Sequence, residues 1–193
     1  MLNVFVVQIL FVIFAAKVIK DLIMDCKKTK IENLSKSHAL DTYKYRSDPS
    51  LWKFMKDDTC SDGDLSLEES AFGKFIEDES QRCFAIMYEG KCVGVVKVKN
   101  LFDNGTGELS YYLLRPELRG FGIASQAVKL VCEYSFDTLD LDVLYLYINP
   151  RNVSSYVLAI RTGFYPVGIG LTNDNVQRLE LTRTIWKKTT RKN

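Results

Sequence analysis

The sequence is poor in histidine, with a single one, His38, among 193 residues. A Ser-His-Asp or Cys-His mechanism needs an imidazole beside its nucleophile, and nothing around His38 supplies that arrangement, so it reads as a surface residue near an early strand. Cysteine is present but unpatterned: Cys26, Cys60, Cys83, Cys92 and Cys132 are odd in number, irregularly spaced and without a C-x-x-C pair. That argues against a disulfide framework and a zinc cage, predicts no metal site, and fits a reducing, cytoplasmic compartment. Charge of one sign is also missing, because 26 basic residues stand against 24 acidic ones. No nucleic-acid partner is indicated, and the terminal Lys187, Lys188, Arg191 and Lys192 read as a solvated basic tail. Repeats and low-complexity segments are absent as well.

A hydrophobic run long enough to span a bilayer comfortably is likewise lacking. Residues 4–16 are apolar except for Gln8, and Lys17 and Lys20 then interrupt the pattern. No positive residue precedes the run, as a signal peptide would require. Three readings of residues 1–24 stay open: a membrane-associating or marginally spanning helix, a packing helix, or an upstream extension read through a start that properly lies at Met24. Residues 25–193 read as one domain, since 47% hydrophobic and 12% aromatic content suffice for a sizeable core.

Within that domain, patterning predicts a strand over 29–37 and a helical stretch over 39–55, broken by Ser47-Asp48-Pro49. An acidic tract follows over 57–79, with Leu65, Leu67, Phe72, Phe75 and Ile76 as its apolar helical stripe; it is either a solvated face or a cation-attracting rim. Strands over 83–88 and 92–99 form a hairpin around Glu89-Gly90-Lys91, and a strand over 108–114 follows the Asp103-Asn104-Gly105 turn. Its two-residue period puts Glu108, Ser110 and Tyr112 on one face and Leu109, Tyr111 and Leu113 on the other. A helix over 123–136, a strand over 143–148, a helix over 153–161 capped by Gly163, and strands over 165–170 and 177–184 complete an α+β domain with a mixed, mostly antiparallel sheet.

Arg119-Gly120-Phe121-Gly122-Ile123-Ala124 joins a strand to a helix. Its glycines let a ligand approach the backbone, and the free N–H groups of a helix start favour an anion such as phosphate. A dinucleotide fingerprint fails because Ser125 stands at the third glycine and the preceding strands form hairpins; a P-loop fails because no Gly-Lys-Ser/Thr follows.

The loop resembles the acyl-CoA motif Gln/Arg-x-x-Gly-x-Gly/Ala of the GNAT superfamily of N-acetyltransferases, and Arg115-Pro116-Glu117 is similar to its usual lead-in. Asn152-Val153-Ser154-Ser155, followed by Gly163-Phe164, resembles the Asn-x-x-Ser…Gly-Phe pattern of the branch holding ribosomal-protein N-terminal and polyamine acetyltransferases. The similarity runs from about residue 29 to the C-terminus.

The resemblance implies a three-layer α/β/α fold whose central strands splay at an acetyl-CoA site, and no metal. Backbone N–H groups of Arg119, Gly120, Phe121, Gly122, Ile123 and Ala124 would hold the pyrophosphate, Leu113 and Leu114 would pair with pantetheine, Asn152 would contact the arm, and Ser155 would lie near the sulfur. An alkyl amine with a pKa near 10 is almost wholly protonated at neutral pH, so a base is needed, and Glu108 is the candidate. Many family members place a tyrosine four residues before the glycine as proton donor to the thiolate; here that residue is Ala159. Ser155, and after it Tyr156, are the candidate donors. The acceptor would be a cationic amine such as a polyamine, or a protein N-terminus, with Trp52 and Tyr111 or Tyr112 as an apolar wall. The same features also fit a catalytically silent acyl-CoA-binding or sensory module. Membrane association through residues 1–24 and a homodimer are both left open.

Overall fold

The computed structural model describes residues 26–54, 63–101, 104–169 and 176–190. The expected N-terminal extension, Cys60, Asp57, Asp58 and Asp62 of the acidic tract, Asp103 of the expected turn, and the end of the strand expected over 165–170 lie outside them. Among the described residues, no helix is long and apolar enough to cross a membrane.

The elements in chain order are β1 (Lys30–Asn33), α1 (Ala39–Thr42), α2 (Pro49–Trp52), α3 (Leu65–Glu77), β2 (Arg82–Tyr88), β3 (Lys91–Lys99), β4 (Thr106–Leu113), α4 (Ile123–Asp137), β5 (Val143–Ile148), α5 (Val153–Thr162), β6 (Tyr165–Ile169), β7 (Gln177–Thr182) and α6 (Arg183–Thr190). The strands form one sheet in the order β1-β2-β3-β4-β5-β7-β6. All neighbours are antiparallel except β4 and β5. Leu109, Leu144, Leu146 and Leu181 pack on one face of the sheet with Ile123, Val131 and Phe136 of α4. On the other face Val95, Tyr112 and Leu114 pack with Ala39, Leu51 and Phe72 of the early helices. The result is the expected three-layer α/β/α fold with a mixed, mostly antiparallel sheet.

Local chemistry explains the punctuation. Glu89 (φ 51) and Gly90 (φ 77) take up left-handed conformations, giving the tight reversal between β2 and β3. Gly163 (φ 109) ends α5, its N–H reaching back to the Ala159 and Ile160 carbonyls.

Four expectations are corrected. The last strand stops at Thr182, and the residues after it form α6, which buries Trp186 against Phe136 with ring centroids 6.1 Å apart. Lys187 and Lys188 therefore belong to an amphipathic helix. On α3, Leu67 and Ile76 are exposed while Glu68 is fully buried, so the inward stripe comprises Glu68, Ala71, Phe72 and Gly73, with Leu65 and Phe75 half-buried beside it. The opening strand covers only Lys30–Asn33. His38 is no surface residue: its side chain is 13% exposed, and its Nδ1 accepts a 3.0 Å bond from the Ser35 N–H.

Candidate active site

The central strands part company early. β4 and β5 pair only through Thr106↔Val143, Gly107↔Leu144 and Glu108↔Tyr145, although β4 continues to Leu113 and β5 to Ile148. Beyond Glu108 one edge of β4 faces a gap. On its other edge Leu114 donates to the Val93 carbonyl at 2.9 Å. Because successive residues of a strand direct their polar groups to opposite edges, Leu113 and Tyr111 present theirs to the gap. Of the two leucines expected to meet an extended arm, Leu113 is placed to do so; Leu114 has its N–H turned to β3 and its side chain in the core.

The free edge leads to the glycine loop. Gly120 (φ 86) and Gly122 (φ 80) are left-handed, and a Cβ at Gly120 would meet nothing within 4 Å. The first internal bond of α4 is Gln126 N–H to the Gly122 carbonyl at 2.9 Å. The N–H groups of Ile123, Ala124 and Ser125 are thus the unpaired donors of a helix start, aligned with its dipole. Ile123 buries its side chain in the core, so only its backbone can serve a ligand, whereas Phe121 is exposed. Arg119 departs from expectation: its N–H is bonded to the Pro116 carbonyl at 3.1 Å, leaving its exposed side chain as its means of reaching an anion. The loop and the β4 edge together fit a ligand with a phosphate at one end and an extended amide arm at the other, which is the chemistry of CoA. Among the described residues, no group of three or more His, Cys, Asp or Glu side chains could hold a metal ion.

Glu108 stands where β4 and β5 separate, on the face opposite α4. Its carboxylate lies 3.1 Å from Lys99 Nζ and accepts a 2.9 Å bond from Asn100 Nδ2, which also reaches the Tyr145 hydroxyl at 3.4 Å. On the same face, Tyr145, Tyr147, Arg178 and Glu180 continue outward, with the Arg178 guanidinium 4.2 Å over the Tyr145 ring and 2.8 Å from Glu180.

Asn152 caps α5. Its side-chain oxygen accepts from the Ser155 N–H at 3.3 Å and from the Ser154 hydroxyl at 3.2 Å, which fixes the first turn. Ser155 projects to β4, where its Oγ lies 2.8 Å from the Tyr111 hydroxyl. Burial pushes the Tyr111 phenol up to about 12, the bond to Ser155 opposing that rise. Tyr156 instead packs half-buried against the main core. The aromatic wall also divides: Tyr112 and Trp52 meet with ring centroids 6.1 Å apart on the α1–α3 side, while Tyr111 is on the α4–α5 side. Sequence reading did not join Tyr111 to Ser155; its one available signal was the alternation that separates Tyr111 from Tyr112.

Comparisons with known proteins agree with this geometry. A spermidine N(1)-acetyltransferase of Escherichia coli (strain K12) is 29% identical over 93 residues, 48% of this chain and 50% of that protein, so the match spans about half the relative's length. The spermidine N-acetyltransferase of Vibrio cholerae, solved with CoA and spermine, shares the fold at a TM-score of 0.71 and 17% identity, over 83% of this chain and 99% of that one. The Mycobacterium smegmatis RimJ structure, solved with CoA-disulfide, gives a TM-score of 0.72 at 16% identity, covering 81% and 82%. The acetyltransferase (GNAT) domain model matches residues 29–165, which include the glycine loop, the parted strands and the Asn152-capped helix. The chain belongs to the GNAT acetyltransferase family.

Proposed function

We propose that the protein is an N-acetyltransferase that moves an acetyl group from acetyl-CoA to a primary amine, a cationic small molecule such as a polyamine or a protein N-terminus. The observation that carries this reading is the unpaired edge of β4 running from Leu109 to Leu113 and ending at the unpaired N–H groups of α4. Phosphate at Gly120 to Ser125 and an arm along Leu113 bring the acetyl donor to the point where Glu108 stands. An amine arriving as ammonium must lose a proton before it attacks, and Glu108, held by Lys99 and Asn100, takes it directly or through water. Proximity supplies much of the remaining rate, since both reactants lie in one gap.

On the acceptor side, Glu108 and Glu180 are each paired with a cation, Lys99 and Arg178, and Arg178 already stacks on Tyr145, so a cationic amine would have to exchange with one of these partners. A cationic acceptor is supported by the relatives named for spermidine. Cys26, Cys83, Cys92 and Cys132 are free thiols, in keeping with action in the cytoplasm.

Ala159, fully buried where the resemblance leads one to look for a tyrosine, favours a second reading, a silent acyl-CoA-binding module. One experiment separates them: thiol release from acetyl-CoA over a panel of polyamines, aminoglycosides and short peptides, run with Glu108→Gln. The enzyme releases thiol with a cationic acceptor, and the variant loses about 100-fold or more in kcat. Thermal stabilisation by CoA without any thiol release makes the protein a binding module, and no stabilisation by millimolar CoA overturns both readings.

A further inference from the structure

We propose that Tyr111 is a positioning residue that holds the Ser155 hydroxyl as a hydrogen-bond donor to the sulfur at the reacting end of the CoA arm. The inference rests on the acetyl-CoA reading of the site.

The two residues stand on opposite sides of the gap. Tyr111 is three positions past the last β4–β5 pair, and Ser155 lies in the first turn of α5, just after β5. Their 2.8 Å contact, across 44 residues of chain, bridges the parted strands. An arm anchored at the glycine loop and laid along β4 advances about 3.3 Å per residue of strand, so it passes Leu113 and reaches the backbone of Tyr111 or Leu109 with its reacting end. Ser155 faces that end from α5.

The direction of the hydrogen bond is part of the proposal. Tyr111 Oη has one proton and two acceptors within range, Ser155 Oγ at 2.8 Å and the Ser155 carbonyl at 3.3 Å. Either hydroxyl can donate across the 2.8 Å contact; the phenol is the more acidic of the two and hence the better donor, and its proton is taken to lie on the line to Oγ. Burial, which raises the phenol to about 12, keeps that proton in place at neutral pH. Near Tyr111 lies the Cys132 thiol of α4, itself fully buried and pushed up by burial. With Oγ accepting from Tyr111, the Ser155 proton is released to point into the gap, while Asn152 fixes the Ser155 backbone. Neither proton is transferred. The sulfur leaves with the electron pair of the C–S bond, and the Ser155 O–H dipole stabilises the negative charge it gains. The pair thereby serves, from the first turn of α5, the need that Ala159 leaves unmet one turn later on the same helix.

The test reads the free thiol of CoA bound to the full-length protein, titrated by ultraviolet thiolate absorbance against CoA lacking its sulfur. In the unaltered protein the bound thiol ionises at lower pH than in water. Tyr111→Phe and Ser155→Ala each return it toward the solution value by a similar amount, and the double variant goes no further. Calorimetric CoA affinity stays within about threefold, and acetyl transfer shows kcat down about tenfold at unchanged KM for acetyl-CoA. Tyr111→Phe leaving the titration unmoved while Ser155→Ala shifts it overturns the proposal, as do independent additive shifts or a bound thiol that ionises as in water. A shifted thiol in a protein that transfers no acetyl group leaves the Tyr111–Ser155 relation standing and removes the enzymatic reading. Acetyl transfer unchanged in Tyr111→Phe does the reverse.

Discussion

Arg46 and Glu68 meet at 2.7 Å with neither side chain reaching solvent. The pair ties the segment before α2 to α3. Thr42 donates to the second carboxylate oxygen at 2.8 Å, Trp52 Nε1 donates to the Arg46 carbonyl at 2.7 Å, and the guanidinium lies 4.7 Å from the Trp52 ring and 5.3 Å from that of Tyr112. Removing one partner strands a buried charge, so Glu68→Gln or Arg46→Met is expected to lose about 3–5 kcal/mol in denaturant unfolding. Replacing both with apolar residues loses less than the sum of the singles. Additive losses would show that the two charges are not coupled.

Gly94 and Gly120 are predicted to lose stability on substitution by alanine for different reasons. A Cβ at Gly94 would lie 2.4 Å from the Tyr112 carbonyl oxygen and 3.1 Å from Leu113 Cα, both backbone, so β3 and β4 must shift where Leu113 offers its edge. Gly94→Ala is expected to destabilise by about 1–3 kcal/mol. Gly120→Ala meets no atom but puts a side chain at φ 86, an expected loss of about 1–2 kcal/mol. Its methyl group also intrudes on the loop, so CoA binding by calorimetry weakens beyond what unfolding accounts for. An unchanged CoA affinity in Gly120→Ala would remove the loop from the site.

Much of this architecture was legible because its signals are local. The Glu89-Gly90 reversal, the Gly122 start and the Gly163 end each need a left-handed residue at one place, and the sequence puts glycine or a turn residue there. The rest depends on partners far along the chain. Glu68 sits in an acidic tract indistinguishable by pattern from a solvated face, and Arg46 and Thr42, brought beside it by the fold, make its burial tolerable. The Tyr111–Ser155 bond is non-local in the same way. Helix α6 is faint in the sequence because its apolar face rests on Trp186 and half-buried Ile185 among basic and hydroxyl residues.

The thiols predict an alkaline weakness. Burial pushes Cys83 up to about 11 and Cys92 up to about 12 from 9.0, and raises Cys132 still further. In the unfolded chain these groups lose protons near pH 9, while the folded protein keeps them, so the folded state binds more protons above that pH. Stability is therefore fully present below pH 9 and falls as pH rises toward 11 and 12. The melting temperature should decline over that window, less steeply in Cys92→Ala after allowance for its lower starting value. Thiol reagents at pH 8 should modify the buried Cys92 and Cys132 only on unfolding. A melting temperature flat from pH 9 to 11 would contradict the buried, neutral thiols.

Asn100 offers a way to disturb Glu108 without touching it. It holds φ 55 at the end of β3, a left-handed conformation that asparagine tolerates better than most residues, and its Nδ2 donates to Glu108 at 2.9 Å. Glycine keeps the backbone and deletes the donor; alanine deletes the donor and strains the backbone. Asn100→Gly should thus melt within a few degrees of the unaltered protein, and Asn100→Ala should lose about 1–2 kcal/mol. If Asn100 orients the carboxylate, both variants lower kcat for thiol release by about threefold to tenfold at unchanged KM for acetyl-CoA. Parallel losses of stability and rate across the two would point to a structural cause, whereas a rate loss equal in both, despite their different stabilities, identifies orientation of Glu108 as the role of this side chain.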